Sequence, residues 1–95
     1  MIDFELYRVF IEVAKEENIT KASEKLNISQ PAVTKQIKNL ENQLSLVLFE
    51  RKSKGLILTE DGKKLYEKLK NPIEELKKID KQIGKEKIIN ILISN

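Results

Sequence analysis

Gln30, Thr34, Lys35 and Lys38 fall within "SQPAVTKQIKNLE", where the apolar residues Val33, Ile37 and Leu40 keep a helical period. At about 100° per residue the apolar set turns one way, leaving Pro31, Thr34, Lys35, Lys38 and Asn42 on the outward arc. These side chains suit one chemistry. A Gln amide matches the donor–acceptor pair of adenine, a Lys ammonium donates to guanine, and a Thr methyl packs on the methyl of thymine. Gln30 also stands at the helix start, beside free N–H groups that favour a phosphate. No acidic residue interrupts the arc before Glu41 at its edge. The competing reading is an ordinary solvated helix face.

Arg51, Lys52 and Lys54 form a second basic cluster. They lie in "RKSKG", between the apolar runs Leu46–Phe49 and Leu56–Thr59. That pattern reads as a two-stranded hairpin with a basic turn, able to reach a nucleic-acid backbone or minor groove.

The composition excludes much else. The chain has 95 residues with neither Cys nor His, which removes disulfides, Cys/His zinc sites, thiol nucleophiles and imidazole acid–base chemistry. Carboxylates are scattered, and neither a nucleophile–base pair nor a Gly-rich phosphate loop occurs, so no enzyme, cofactor or metal is expected. The net charge of +3 and pI near 9.1 permit a nucleic-acid partner without demanding one. Distribution says more: residues 1–17 balance to −3 and residues 29–54 to +3. With charged and apolar residues interleaved from the start, no signal peptide is expected. No apolar run nears the roughly 20 residues that cross a bilayer, so a soluble cytoplasmic protein with no membrane partner is expected.

Positioning these groups falls to a predicted set of short elements. Phe4, Leu6, Tyr7, Phe10, Val13 and Ala14 give a first helix over residues 3–16, capped by Asp3. Ile19, Ala22, Ser23 and Leu26 mark a second, started by Asn18 or Thr20 and stopped by Asn27, which tolerates a left-handed conformation. Ser29 caps the third, with Pro31 in its first turn. Two helices across a three-residue turn make a helix-turn-helix. Ser23 is small where the helices cross, Asn27 takes the turn, Ile28 plugs the angle, and Val33 and Ile37 pin the third helix.

Thr59 caps a long helix in which Leu65, Leu69, Pro72, Leu76, Ile79 and Ile83 alternate steps of four and three. Pro72 is expected to kink it, and Ile73 lies beside the seam to restore the lost contact. Gly84 is expected to end the helix, and "IINILISN" reads as a strand whose sheet the chain does not supply.

The chain resembles the N-terminal DNA-binding part of bacterial LysR-type transcriptional regulators. Leu6, Phe10, Val13 and Ala14 match, followed by "KASEKLNISQPAVTKQIKNLENQLSLVLFERKSKGLILTEDGKKL" almost position by position. The resemblance covers about residues 2–87, plus a strand from Ile88. It implies a mainly α fold: a winged helix-turn-helix over 1–59, a linker and dimerisation helix over 60–87, and at 88–95 the first strand of an effector-binding domain that is absent. Gln30, Pro31, Thr34 and Lys35 would then approach bases, Ser29 and Lys38 the backbone, and Arg51 and Lys54 would act from the wing. Thr20 and Lys52 complete the candidate contacts. Leu65, Leu69, Ile73, Leu76, Ile79 and Ile83 would join a second copy. Ser23 departs from the family's usual Ala, Ser45 from its Gly, Asp61 from a common Ala, and Pro72 is unexpected.

The resemblance implies a dimer that binds an interrupted palindrome in double-stranded DNA, with a small-molecule effector only if a C-terminal domain exists. The alternative is a dimerisation module that forms mixed dimers with a full-length regulator.

Overall fold

The computed structural model describes the backbone of residues 1–93 and the side chains of residues 1–84. Its order is α1 (Phe4–Glu16), α2 (Ile19–Leu26), α3 (Gln30–Leu44), β1 (Phe49–Lys52), β2 (Gly55–Leu58) and α4 (Glu60–Ile93). Each helix begins where a short polar side chain takes one of its free N–H groups. The Asp3 carboxylate accepts from Glu5 N–H at 2.9 Å, Asn18 Oδ1 from Lys21 N–H at 2.9 Å and Ser29 Oγ from Ala32 N–H at 3.2 Å. Thr59 Oγ1 accepts from Gly62 N–H at 3.0 Å at the head of α4.

The first three helices end on residues with positive φ: Glu17 at 52°, Asn27 at 57° and Ser45 at 55°. After α2 and α3 the chain turns back in the same way. Ile28 N–H reaches the Ser23 carbonyl at 3.2 Å and Leu46 N–H the Glu41 carbonyl at 3.1 Å, each closing a Schellman turn. Ser45 thus occupies a conformation that glycine adopts without strain and that costs another residue about 1–2 kcal/mol.

The amphipathic faces meet in one core. Val9, Phe10, Val13, Ala22, Val33, Leu40 and Leu48 are wholly buried, and Ile11 and Ile73 nearly so. At roughly 1.5–3 kcal/mol for each large apolar side chain, this burial outweighs any single cap. Ser23 is buried at the α2–α3 crossing and donates its hydroxyl proton to the Thr20 carbonyl at 2.7 Å. A hydroxyl buried there therefore carries no unpaired donor.

The hairpin is tighter than the apolar runs suggest, with β1 beginning later, at Phe49, and β2 earlier, at Gly55. Phe49 pairs with Leu58, Glu50 with Ile57, Arg51 with Leu56 and Lys52 with Gly55, around a turn of Ser53 and Lys54. Leu46–Leu48 is connection, not strand. The Leu48 N–H bonds to the Glu41 carboxylate at 2.7 Å and its carbonyl accepts from Thr59 N–H at 3.0 Å, so pairing with β2 begins only at Phe49. Leu56 N–H bonds to the Glu17 carbonyl at 3.1 Å. Gly55, with φ of 139°, passes so near that oxygen that a Cβ would collide with it.

α4 overturns two expectations. Gly84 does not end it, and residues 88–93, expected as a strand, continue the helix to Ile93. A helical glycine costs only about 1 kcal/mol against alanine. Within the helix the backbone groups of this segment bond to one another. Ser94 and Asn95, the end of the expected strand, lie outside the described residues. Pro72 is housed inside the same continuous helix, although its ring nitrogen has no proton for the carbonyl four residues earlier.

Candidate nucleic-acid interface

α3 packs through Val33, Ile37 and Leu40, all buried, so its opposite face is left to solvent. Gln30, Pro31, Lys35, Lys38 and Asn42 are exposed there and Thr34 is half-buried. Ser29 is exposed, with its hydroxyl engaged as the α3 cap. Thr20 is exposed in the first turn of α2. Arg51 and Lys52 stand exposed on β1, and Lys54 in the turn. The basic cluster thus belongs partly to a strand, which sets its spacing.

Ion pairing ties down some of the cations elsewhere, although Lys21, Lys64, Lys68 and Lys81 also have no acidic partner within 4.0 Å among the described residues. Arg8 pairs with Glu5 at 2.7 Å, Lys25 with Glu16 at 2.8 Å and Lys15 with Glu74 at 3.1 Å. The Arg8 hydrogen bond holds the Glu5 carboxyl below its usual range, and that from Lys25 does the same for Glu16. Lys52 lies 3.8 Å from the Glu50 carboxylate, an open and weak pairing. Among the described residues, Lys35, Lys38, Arg51 and Lys54 have no acidic partner within 4.0 Å. Glu5 and Glu16 of the N-terminal stretch are paired, while the charge on α3 and the hairpin faces outward. Phosphates are the complement of such a surface.

Two residues were missed by sequence reasoning. Glu41, at the edge of the arc, turns its carboxylate to the Leu48 backbone. Glu17, a left-handed cap of α1, carries the carbonyl that seats β2. Glu17 leaves no periodic or motif signal, and Glu41, although it closes the quoted run, shows its role only through its carboxylate's bond to the Leu48 N–H.

The six residues expected to face a second copy divide. Leu65 and Leu69 are half-buried against the chain's own core. Ile73 is 2% exposed, so its side chain serves that core and has no surface to offer a partner. Leu76, Ile79 and Ile83 are 43%, 50% and 57% exposed. Among the described residues, no helix is long and apolar enough to cross a membrane.

Helices α1–α3 with the β1–β2 hairpin and a following helix define a winged helix-turn-helix. Residues 4–63 match the family described as bacterial regulatory helix-turn-helix protein, lysR family. The chain belongs to that family. ClcR of Pseudomonas putida, an HTH-type transcriptional regulator, is 49% identical over 61 residues, 64% of this chain and 21% of that protein. CitR of Bacillus subtilis, described in the same words, is 38% identical across 82% of this chain and 29% of its own length. The chain spans about a fifth to two fifths of the length of the curated relatives it matches.

Solved structures agree on the fold. A complex of BenM_DBD with catB site 1 DNA superimposes with a TM-score of 0.71 at 34% identity, covering 93% of this chain and 94% of that one. The full-length virulence activator AphB of Vibrio cholerae gives 0.82 at 28% identity, over 86% of this chain and 28% of its own.

Proposed function

We propose that this chain binds double-stranded DNA sequence-specifically, as the DNA-reading part of a dimeric transcription regulator. The observation that carries the reading is the set of unpaired cations on α3 and the wing, in a family with members solved on DNA. Gln30, Thr34 and Lys35 face the bases of one major groove in this proposal, and Lys38, Arg51 and Lys54 neutralise phosphates. α4 joins two copies through Leu76, Ile79 and Ile83, whose exposed apolar surface is otherwise left in water. Two copies place two half-sites about one helical turn, or a multiple, apart. No catalysis is assigned.

Fluorescence anisotropy on a series of interrupted palindromes, repeated at several salt concentrations, tests the proposal. Affinity must fall steeply with salt and must distinguish palindromes from scrambled duplexes. Salt-insensitive binding, or none, sinks it.

The exposed Leu76–Ile83 stretch also supports a second reading, a dimerisation module that forms mixed dimers with a longer regulator. Sedimentation beside the same titration separates the two, because that reading requires dimers without useful DNA affinity.

A further inference from the structure

The recognition helix and the wing are joined by the chain segment from Ser45 to Leu48, and one side chain of α3 spans it. Glu41 Oε2 accepts the Leu48 N–H at 2.7 Å. Leu48 is where the wing is fixed to the rest of the molecule: its side chain is wholly buried and its carbonyl accepts the Thr59 N–H at 3.0 Å. Gly62 passes so close to that carbonyl oxygen that a Cβ could not be accommodated. The next residue, Phe49, opens β1 and lies against Phe10, ring centroids 5.4 Å apart. Arg51 follows on the same strand and Lys54 in the turn.

On α3, Thr34, Lys38 and Glu41 succeed one another at steps of four and three, neighbours along one flank. A single carboxylate therefore ties the flank that carries Lys38 to the residue that anchors the strand carrying Arg51. An acid at the rim of a phosphate-facing surface works against binding. Its bond to a backbone donor, stronger for being charged, accounts for its presence.

We propose that Glu41 is a positioning residue for DNA binding, fixing the wing relative to α3 so that Lys35 and Lys38 engage the same duplex as Arg51 and Lys54. This inference rests on the DNA-binding function proposed above.

Glu41→Ala and Glu41→Gln in the full chain provide the test. Both remove the charge, but only Gln keeps an acceptor for the Leu48 N–H. Glu41→Gln should bind as well as the parent or better, with the same salt slope. Glu41→Ala should lose the wing's share, flattening the slope of log affinity against log salt by at least about 2, as expected when the Arg51 and Lys54 phosphate contacts go. On the Glu41→Ala background, Arg51→Ala and Lys54→Ala should cost nothing further, while Lys35→Ala keeps its full cost.

Undiminished Arg51→Ala and Lys54→Ala losses on that background overturn the inference and leave DNA binding intact. A parent chain without salt-dependent DNA binding overturns both. Without DNA, the Leu48 amide should exchange faster with solvent in Glu41→Ala and in Glu41→Asp, whose carboxylate is one methylene short, but not in Glu41→Gln. Unchanged Leu48 exchange in both shortened variants overturns the inference regardless of DNA.

Discussion

The Lys15 ammonium lies 3.1 Å from a Glu74 carboxylate oxygen, linking α1 to α4 across 59 positions of sequence. One residue before Glu74, Ile73 is buried in the common core. Ion pair and apolar anchor together mark the last place where α4 touches the winged unit strongly, and Leu76, Ile79 and Ile83 beyond it stand exposed.

Acid should loosen this junction. The Lys15 hydrogen bond holds the Glu74 carboxyl below its usual range, so its contribution is complete above the ordinary glutamate value of about 4.3. It is lost as the pH falls through the lowered folded-state value. Lys15, raised by its hydrogen bond to Glu74, contributes below the ordinary lysine value and loses that contribution only as the pH rises through its raised one. Both side chains are partly exposed, so the effect is small and salt-sensitive. Melting curves from pH 7 to pH 3 should fall less steeply for Glu74→Gln than for the parent. Identical slopes would refute a stabilising role for the pair.

Ile73 and Ile79 should respond oppositely to substitution. Ile73→Ala opens a cavity in the chain's own core and should cost about 2–5 kcal/mol in denaturant unfolding. Ile79→Lys removes apolar surface from the exposed stretch and should leave the winged unit folded while converting the proposed dimer to monomer. Sedimentation of both variants checks this; a dimer that persists in Ile79→Lys places the interface elsewhere.

Much of this was legible because it is written in local chemistry. Asp3, Asn18, Ser29 and Thr59 declare helix starts by residue type, and Asn27 declares the turn. The buried stripe of α3 follows from its period, and with it the outward face. What stayed hidden depends on contacts between segments. The heptad pattern of α4 cannot distinguish a residue facing a partner from one facing its own domain, and Leu65 and Leu69 of the seam, with Ile73 beside it, pack against the chain's own core. Apolar residues at 46–48 look like strand, but Leu48 is claimed by Glu41 and Thr59 before any strand can pair with it. Gly84 looks like a stop, yet a glycine inside a helix costs only about 1 kcal/mol, and α4 continues to Ile93.

Gly55→Ala should unseat the wing. The added Cβ would meet the Glu17 carbonyl oxygen, and the φ of 139° is strained for any L side chain. The Leu56–Glu17 hydrogen bond lies beside it, so relief of the clash means its loss. Destabilisation of more than about 1 kcal/mol is expected in urea unfolding. Faster exchange at the Leu56 amide should accompany it, and a variant with parental stability and exchange would show that the seat is not needed.

Thr34 and Lys54 should separate base reading from backbone contact. Thr34 is half-buried on the flank of α3, and in the proposed complex its methyl packs against thymine. Thr34→Ala should relax the preference at one base pair, costing about 1 kcal/mol on the preferred sequence and little on others. Lys54, in the wing turn without an acidic partner among the described residues, has only charge to offer. Lys54→Ala should weaken all sequences alike and reduce the salt slope by about 1, and Lys52→Ala should do the same less strongly because Glu50 already lies 3.8 Å from its ammonium. Binding to a library of single-base variants at two salt concentrations decides both points. A uniform loss in Thr34→Ala, or a base-selective loss in Lys54→Ala, would reverse the assignment of the two surfaces.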